Sequence, residues 1–502
     1  MIRFLGKRQT KNVGALLCSM GALAGAATIT IDATTKFQKI SGFGASTAWG
    51  STMPAADADQ LWSTTTGAGL SLHRIRIAPD QTTSETNIAK MAIARGATVW
   101  ATPWTPPSSM KTGETKSGVG GTLSNPSGYA AKLVNFAKMM KDNGVPIYAV
   151  SAQNEPDANV DYESCKFDGA TMATWVGKSM GPAFAGTGVK VMAPETQNWD
   201  GFARFWPAMK GNADFMKYAD ILATHEYSAT LPKLYPEIAA AGKEFWETEI
   251  YDTDMPADPG IGSALRVHKL IHQCMTLANM NAWHFWWVYP STTDNGALWD
   301  KATNKASKRL WVMGNFSRFV RPGYIRIGAT GTQASGVSMS AYSSEKDGKL
   351  VIVAANTNTS AVSQDFKVTG VNPTGVTPWV TDASRNLVAG DKAPVTGSAF
   401  NFSLPAKSVT TLVLDYPTTS VSGRTHGALR VVRTSSGTRF ALTSRSAGVV
   451  QLLSLDGRIL ASRSFPEGTA EVQVPETKAS GIVQARVVQG DRIETSNFVT
   501  SR

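Results

Sequence analysis

A chain of 502 residues exceeds one ordinary domain, for which about 150 residues is the usual length. Hydrophobic residues at 42% and charged residues at 17% describe a globular protein and exclude wholesale disorder. The formal charge of +11 invites a nucleic-acid reading, but Arg3, Lys7, Arg8 and Lys11 lie in a leader without acids, and the stretch from Val421 to Arg502 holds 11 Lys or Arg against 6 Asp or Glu. The body between them is nearly neutral, which removes the clustered basic surface that nucleic acid requires.

Residues 1–26 read as a secretory signal peptide: a basic start, an apolar run from Val13 to Ala24, and Ala24-Gly25-Ala26 as a cleavage site. The run is short for a membrane span and no later stretch supplies eighteen apolar residues, so a secreted chain with no membrane span is expected. Cys18 falls inside the run. Cleavage leaves Cys165 and Cys274, enough for one disulfide and too few for a disulfide framework.

Over residues 41–321, short apolar runs alternate with amphipathic segments. The runs are Gly42 to Ala45, Leu70 to Ala78, Thr98 to Thr102, Ile147 to Gln153, Val189 to Pro194, Ile221 to His225, Glu244 to Glu249 and Ala282 to Trp287. Tyr129 to Asp142, Gly169 to Phe184 and Ser263 to Met280 carry helical periodicity between them. Eight βα units in about 250 residues fit an α/β fold of the closed (β/α)8 TIM-barrel type better than an open doubly wound sheet. After Arg318 the texture turns to alternating strands such as Leu350 to Ala355 and Ser408 to Leu414 with an Asp347-Gly348 turn, a β-sandwich pattern extending over residues 322–416. Residues 417–427 are polar and aperiodic, a linker, and 428–502 form a second, all-β module with an Asp456-Gly457 turn.

In a barrel of this kind the chemistry sits at the C-terminal strand ends. The fourth run leads into Gln153-Asn154-Glu155-Pro156 and the seventh ends Trp246-Glu247-Thr248-Glu249, placing one Glu at each of two strand ends across the barrel mouth. Two carboxyl groups about 5 to 5.5 Å apart are what a retaining glycosidase needs, with mutual repulsion and burial keeping one protonated while the other ionises. The competing reading is two ordinary loop acids. Tryptophans at strand ends, Trp104, Trp246, Trp286 and Trp287, favour a sugar site, since indole faces pack on sugar C–H groups; Trp246 reads equally as core. His268 and His272 share a helix face at i and i+4, but lack a following Glu and a third ligand, so no metal is expected. Gly42-Phe43-Gly44 lacks the third Gly of a dinucleotide loop, and neither a phosphate loop nor a nucleophile elbow is present, so no cofactor is expected.

On these residues the chain resembles glycoside hydrolase family 30, in particular its bacterial xylanase branch, from about Thr28 to Tyr416. The matching segments are Gly42-Phe43-Gly44-Ala45-Ser46, Trp104 to Lys111, Gln153 to Asp157, Tyr162-Glu163-Ser164-Cys165, Ala193-Pro194-Glu195, Trp246 to Glu249 and Phe316 to Gly323. The resemblance implies a cofactor-free, retaining endo-xylanase with Glu155 as acid/base and Glu249 as nucleophile, and a side β-sandwich built from residues 27–40 together with 322–416. It further implies that Asn154 hydrogen-bonds the sugar 2-OH, that Tyr227 holds the nucleophile and that Trp104 and Trp286 are sugar platforms. Tyr289 is expected to reach a sugar, and of Arg74 and Arg76, which end the second strand, one is expected to pair with a carboxylate in the mouth; Arg76 is carried as a substrate-binding residue. Glu247, on the same pleat face as Glu249 and one layer deeper, is expected to be structural.

One departure bears on substrate. Relatives that require a glucuronic acid branch carry an Arg after the eighth-strand Trp pair, where its fork grips the uronate. Here the chain runs from Trp286-Trp287-Val288-Tyr289 onward with no basic residue before Lys301. The expected substrate is therefore xylan without strict dependence on uronate branches. The alternatives are another family specificity such as an endo-β-1,6-glucanase, and a non-catalytic carbohydrate-binding or adhesion protein. A monomer is expected. The tail from Ala428 resembles C-terminal sorting or surface-attachment modules at Leu455 to Leu460, against the reading of a plain solvated β-face.

Overall fold

The computed structural model describes residues 28–500 apart from 252–257, 290–295, 301, 396, 418–428, 435–436, 443–445, 455–457, 475–480 and 490–491. The leader, nearly all of the linker, the Asp456-Gly457 turn and most of the segment in which the anchoring Arg is missing lie outside the described residues.

The eight apolar runs are eight parallel barrel strands: β1 (Gly42–Ser46), β2 (Leu72–Ile77), β3 (Thr98–Pro103), β4 (Ile147–Ser151), β5 (Lys190–Thr196), β6 (Ile221–Thr224), β7 (Glu244–Glu247) and β8 (Ala282–Trp287). They close in sequence order, β8 pairing with β1 from Ala282 beside Gly42 to Phe285 beside Ala45. The periodic segments fall in helices Pro126–Asp142 and Ile261–Leu277 and in a helical stretch, Gly169–Phe184, widened by a π turn at Val176–Met180. Apolar helix faces, among them Leu133, Phe136, Phe202 and Ile271, bury against the outside of the barrel.

Inside the barrel the lumen is filled by Leu72, Trp100, Ala149, Met192, Ile221 and Trp246. Trp246 is wholly buried, lies parallel to Tyr148 and His284, and donates from its indole to Glu244 Oε2 at 2.7 Å. It is core and not a sugar platform. Such large rings require small partners: a Cβ on Gly44 would stand 2.6 Å from His284 Cδ2 and 2.7 Å from the Leu72 carbonyl. His268 and His272 pack as parallel rings, and burial drives His268 well below its usual pKa and His272 to about 4, so both are neutral core groups.

The side domain takes strands from both ends of this part of the chain. Strand Thr28–Lys39 runs parallel to Val362–Thr369 and antiparallel to Ile325–Gly331, within a ten-stranded curled sheet that has its own core around Ile29, Ile352 and Leu412. Helix Lys308–Ser317 ties it to the barrel, with Asn315 Nδ2 donating to Thr411 Oγ1 at 3.0 Å and Thr411 donating back to the Asn315 carbonyl at 2.6 Å. Cys165 and Cys274 are both buried free thiols. Thr418–Arg502 form a second compact unit, with a three-stranded and a four-stranded antiparallel sheet and an apolar core that includes Phe440, Val450, Leu452 and Val487.

Removing the lumen indole leaves a cavity that the closed barrel cannot fill. Trp246→Ala should lower the unfolding free energy by about 3–5 kcal/mol, read from denaturant midpoints at unchanged slope.

Candidate active site

Arg74, on β2, is fully buried and points up the lumen into the mouth. Its Nη2 donates to Glu195 Oε1 and to Asn154 Oδ1, each at 2.6 Å, and its Nη1 to Glu249 Oε2. Trp104 and Trp286 close over the guanidinium at 4.8 and 5.3 Å from ring centre to Cζ. Burial works against the charge of Arg74, but Glu195 and Glu249 more than restore it, so its pKa lies above the usual guanidinium value. A guanidinium only donates, so Asn154 must present its oxygen to Arg74, which leaves the amide NH2 as a donor for a ligand in the cavity.

Glu155 follows β4 with φ 45°, a left-handed conformation that costs a non-glycine residue about 1–2 kcal/mol. The loop is pinned there by backbone bonds from Asn154 N–H to the Pro103 carbonyl and from Glu155 N–H to the Glu195 carbonyl, both 2.9 Å. Its carboxylate accepts from Tyr162 OH at 2.5 Å and faces His225 Nδ1 at 3.1 Å. Glu249 stands just past β7 and accepts from Tyr227 OH at 2.9 Å as well as from Arg74. Its backbone N–H rests on Glu247 Oε1 at 2.9 Å, while Glu247 Oε2 takes the His284 N–H at 2.8 Å. Glu247 is therefore the buried support under Glu249.

Five ionisable groups share this dry space. Burial pushes the Glu249 carboxyl above its ordinary pKa, with Glu155 adding to the rise and His225 and Arg74 opposing it. Burial would also raise Glu195, but Arg74 and then His225 bring it below the usual carboxylate value. Burial disfavours a charged His225, yet Glu249, Glu155 and Glu195 overcome this and lift its pKa to about 10, so it is an imidazolium at neutral pH. Its Nε2 lies 3.5 Å from Glu195 and 3.8 Å from Glu249. Glu155, His225 and Glu249 offer atoms all within 4.8 Å of one another, a grouping that could surround a cation. An imidazolium has no lone pair to give, and Arg74 already supplies the positive charge, so the donor set fits a metal poorly.

The carboxylates open into a cavity of about 540 Å³. Asn154, Glu155, Tyr227, Glu249, Trp104 and Trp286 all border it, joined by Trp49, Tyr162, Gln197, Tyr251 and Trp287. Trp286 and Trp287 stack at 5.1 Å, and Trp49 stands edge-on to both and to Trp104. Two acids thus stand at barrel strand ends beneath a cluster of indoles. Residues 70–257 match the Glycosyl hydrolase family 30 TIM-barrel domain, and residues 323–412 match the Glycosyl hydrolase family 30 beta sandwich domain. Glucuronoxylanase XynC of Bacillus subtilis (strain 168) is 32% identical over 409 residues, spanning 78% of this chain and 92% of that protein. The chain belongs to glycoside hydrolase family 30.

Two solved members of the family are similar in structure. Xyn30A of Clostridium acetobutylicum, a subfamily 8 xylanase, superposes with a TM-score of 0.68 at 36% identity, covering 77% of this chain and 99% of that one. A GH30 endoxylanase of Clostridium papyrosolvens C71 gives 0.68 at 34% identity, covering 77% and 100%. The family assignment makes the protein a glycoside hydrolase.

Two residues expected to bind substrate do not border the cavity. Arg76 lies on the same strand face as Arg74 but one layer higher, where it meets Glu163 at the rim and forks onto its carboxylate, with Nε to Oε2 at 3.0 Å. Of the two arginines, Arg74 is the one inside the mouth. Tyr289 turns away because the chain folds back after β8, and its hydroxyl donates to Asp57 Oδ2 at 2.6 Å. Conversely, Glu195, His225, Tyr162 and Trp49 belong to the site. Glu195 and Tyr162 sit in segments already singled out, Ala193 to Glu195 and Tyr162 to Cys165, and His225 ends the sixth apolar run, Ile221 to His225; Trp49 had no signal beyond its place just after β1.

His225 binds its proton more tightly folded than unfolded, so its contribution to stability is fully present below pH 6.5 and lost as the pH rises through about 10. The stability advantage of the native protein over His225→Asn should therefore shrink steadily across that window in denaturant titrations at stepped pH.

Proposed function

We propose that the protein is a secreted endo-β-1,4-xylanase that works by double displacement and does not depend strictly on glucuronic acid branches. The observation that carries the mechanism is the spacing of the acids. Oxygens of Glu155 and Glu249 approach within 4.8 Å, close to the roughly 5–5.5 Å of retaining enzymes and short of the roughly 6.5–9.5 Å that inverting enzymes leave for a water. Glu249, held by Arg74 and Tyr227, attacks the anomeric carbon while Glu155 protonates the departing glycosidic oxygen, giving a glycosyl ester on Glu249. Glu155 then takes a proton from water, which attacks the same carbon and releases the ester. The free amide donor of Asn154 is placed to bond the sugar 2-OH as charge develops.

The substrate assignment is supported by the relatives named as xylanases and by the aromatic lining, which suits sugar rings. Independence from uronate is supported by the charge of the cavity: among the described residues it is bordered by two glutamates and no Lys or Arg. Arg74 and Arg76 are both spent on protein carboxylates. Secretion is supported by the leader, and the C-terminal module is a compact unit with its own core.

Initial products followed by NMR should keep the β configuration, and cleavage of glucuronoxylan, uronate-free arabinoxylan and linear xylo-oligosaccharides should be comparable. Activity confined to glucuronoxylan, with a uronate at a fixed position in every product, overturns the specificity reading. Glu155→Gln should lose about 10²–10⁴-fold in kcat/KM on xylan, and Glu249→Gln should lose more. Polysaccharide binding with undiminished hydrolysis in both variants would contradict the assignment of this catalytic pair.

At the acid limit a second test applies. Because Glu249 must be ionised to attack and burial raises its pKa, the acid limb of kcat/KM against pH should lie above the ordinary glutamate value of 4.5.

A further inference from the structure

We propose that the Arg76–Glu163 fork is a positioning device for proton donation: it holds the loop that sets Tyr162 on Glu155, and so tunes how well Glu155 protonates the leaving group. The inference rests on the reading of Glu155 as acid/base. Among the described residues Tyr162 and His225 are the side chains that bond the Glu155 carboxylate, and the 2.5 Å contact of Tyr162 has the length of a charge-assisted hydroxyl–carboxylate bond. Yet Tyr162 sits on an irregular loop after β4, and the residue is 43% exposed, so packing alone does not fix it. The loop is fixed on the far side of the tyrosine.

Ser164 N–H bonds the Gly118 carbonyl at 2.9 Å, and the Ser164 carbonyl takes the buried Lys111 ammonium at 2.8 Å. Between that anchor and the hydroxyl, the next residue, Glu163, is gripped by Arg76 through three hydrogen bonds. Arg76 is itself fixed: its backbone N–H bonds the buried Glu85 at 2.7 Å, and its guanidinium lies 4.9 Å from the centre of the Trp49 ring. Trp49 is the exposed indole of the cavity rim, held at φ 64°. A continuous set of contacts thus runs from a ring that borders the cavity, through Arg76 and Glu163, to the tyrosine on the proton donor. The planar fork matters because two parallel bonds fix orientation, whereas an ammonium at the same place holds only a distance.

The test separates positioning of the acid from general damage by changing the need for the proton. A xylo-oligosaccharide expels a sugar alkoxide and requires protonation, whereas an aryl xylobioside with a nitrophenolate leaving group departs without it. Glu163→Gln and Arg76→Lys in the full chain should lose about tenfold or more in kcat/KM on the oligosaccharide and stay within about twofold of the native value on the aryl substrate. Glu155→Gln should show the same split more strongly. Glu163 is partly exposed, so Glu163→Gln serves if Arg76→Lys does not fold. Equal losses on both substrates, or no loss on either, overturn the role of the fork. If Glu155→Gln itself shows no split, the acid/base assignment fails and the fork proposal falls with it; a split in Glu155→Gln without one in the fork variants removes the fork proposal alone.

Discussion

Everything in the mouth of this barrel depends on the buried guanidinium of Arg74, which shares the balancing of the acids with His225. Glu155, Glu195 and Glu249 are buried close together, where negative charges repel strongly and lose much of their hydration. Arg74 meets two of them directly and fixes Asn154 beside the third. A guanidinium suits the task because it stays charged in any surroundings and its donors spread in a plane, reaching groups on several strands at once. A lysine would meet one partner and could shed its proton. Breaking such an arrangement strands uncompensated charges, typically at about 3–5 kcal/mol, which ties the architecture of the mouth to the same contacts that hold the reacting groups.

The barrel supplies what Arg74 needs. Indoles and aliphatic side chains fill the lumen below, so charged groups can stand only near its top. The layer beneath Glu249 is an acid pair: burial raises Glu226 to about 8, and burial with the nearby Glu226 holds Glu247 well above its ordinary value. Glu247 keeps its place by accepting two backbone amides, which makes it a rigid seat for Glu249. Above, the backbone is left-handed at both Glu155 and Glu195, where Glu195 meets Arg74 and Glu155 meets Tyr162 and His225. The strain at these positions is tolerated because the surrounding hydrogen bonds over-determine the loops.

Which parts of this were legible in the sequence follows from how far each signal reaches. Strand runs are local patterns, so all eight barrel strands were visible, and Glu155 and Glu249 followed from the rule that chemistry gathers at strand ends. Pleat alternation put Arg74 and Arg76 on one face but carried no depth, and depth decides that one enters the mouth while the other stays at the rim. Tyr289 follows the same limit: its direction is set where the chain folds back after β8, a tertiary event. Trp246 read equally as core or platform, because an indole near a strand end looks alike in either place until the lumen is closed around it. The hairpin of Lys111–Lys116 and Val119–Leu123 left no mark, since its strands are polar and rich in glycine and carry no buried face to alternate.

The distribution of charge also bears on what the cavity can accept. The basic groups nearest the glutamates are consumed within the protein: Arg74 and His225 balance the acids, and Arg76 is forked onto Glu163. A ligand carboxylate would therefore meet two glutamates and a wall of indoles, with no described cation at the cavity wall to receive it. Neutral sugar rings would face no such conflict, since indole faces suit sugar C–H groups and Asn154, Tyr162 and Tyr227 border the cavity. Recognition of an acidic branch needs a guanidinium left over after the internal balance is struck, and here the internal balance takes both arginines of β2.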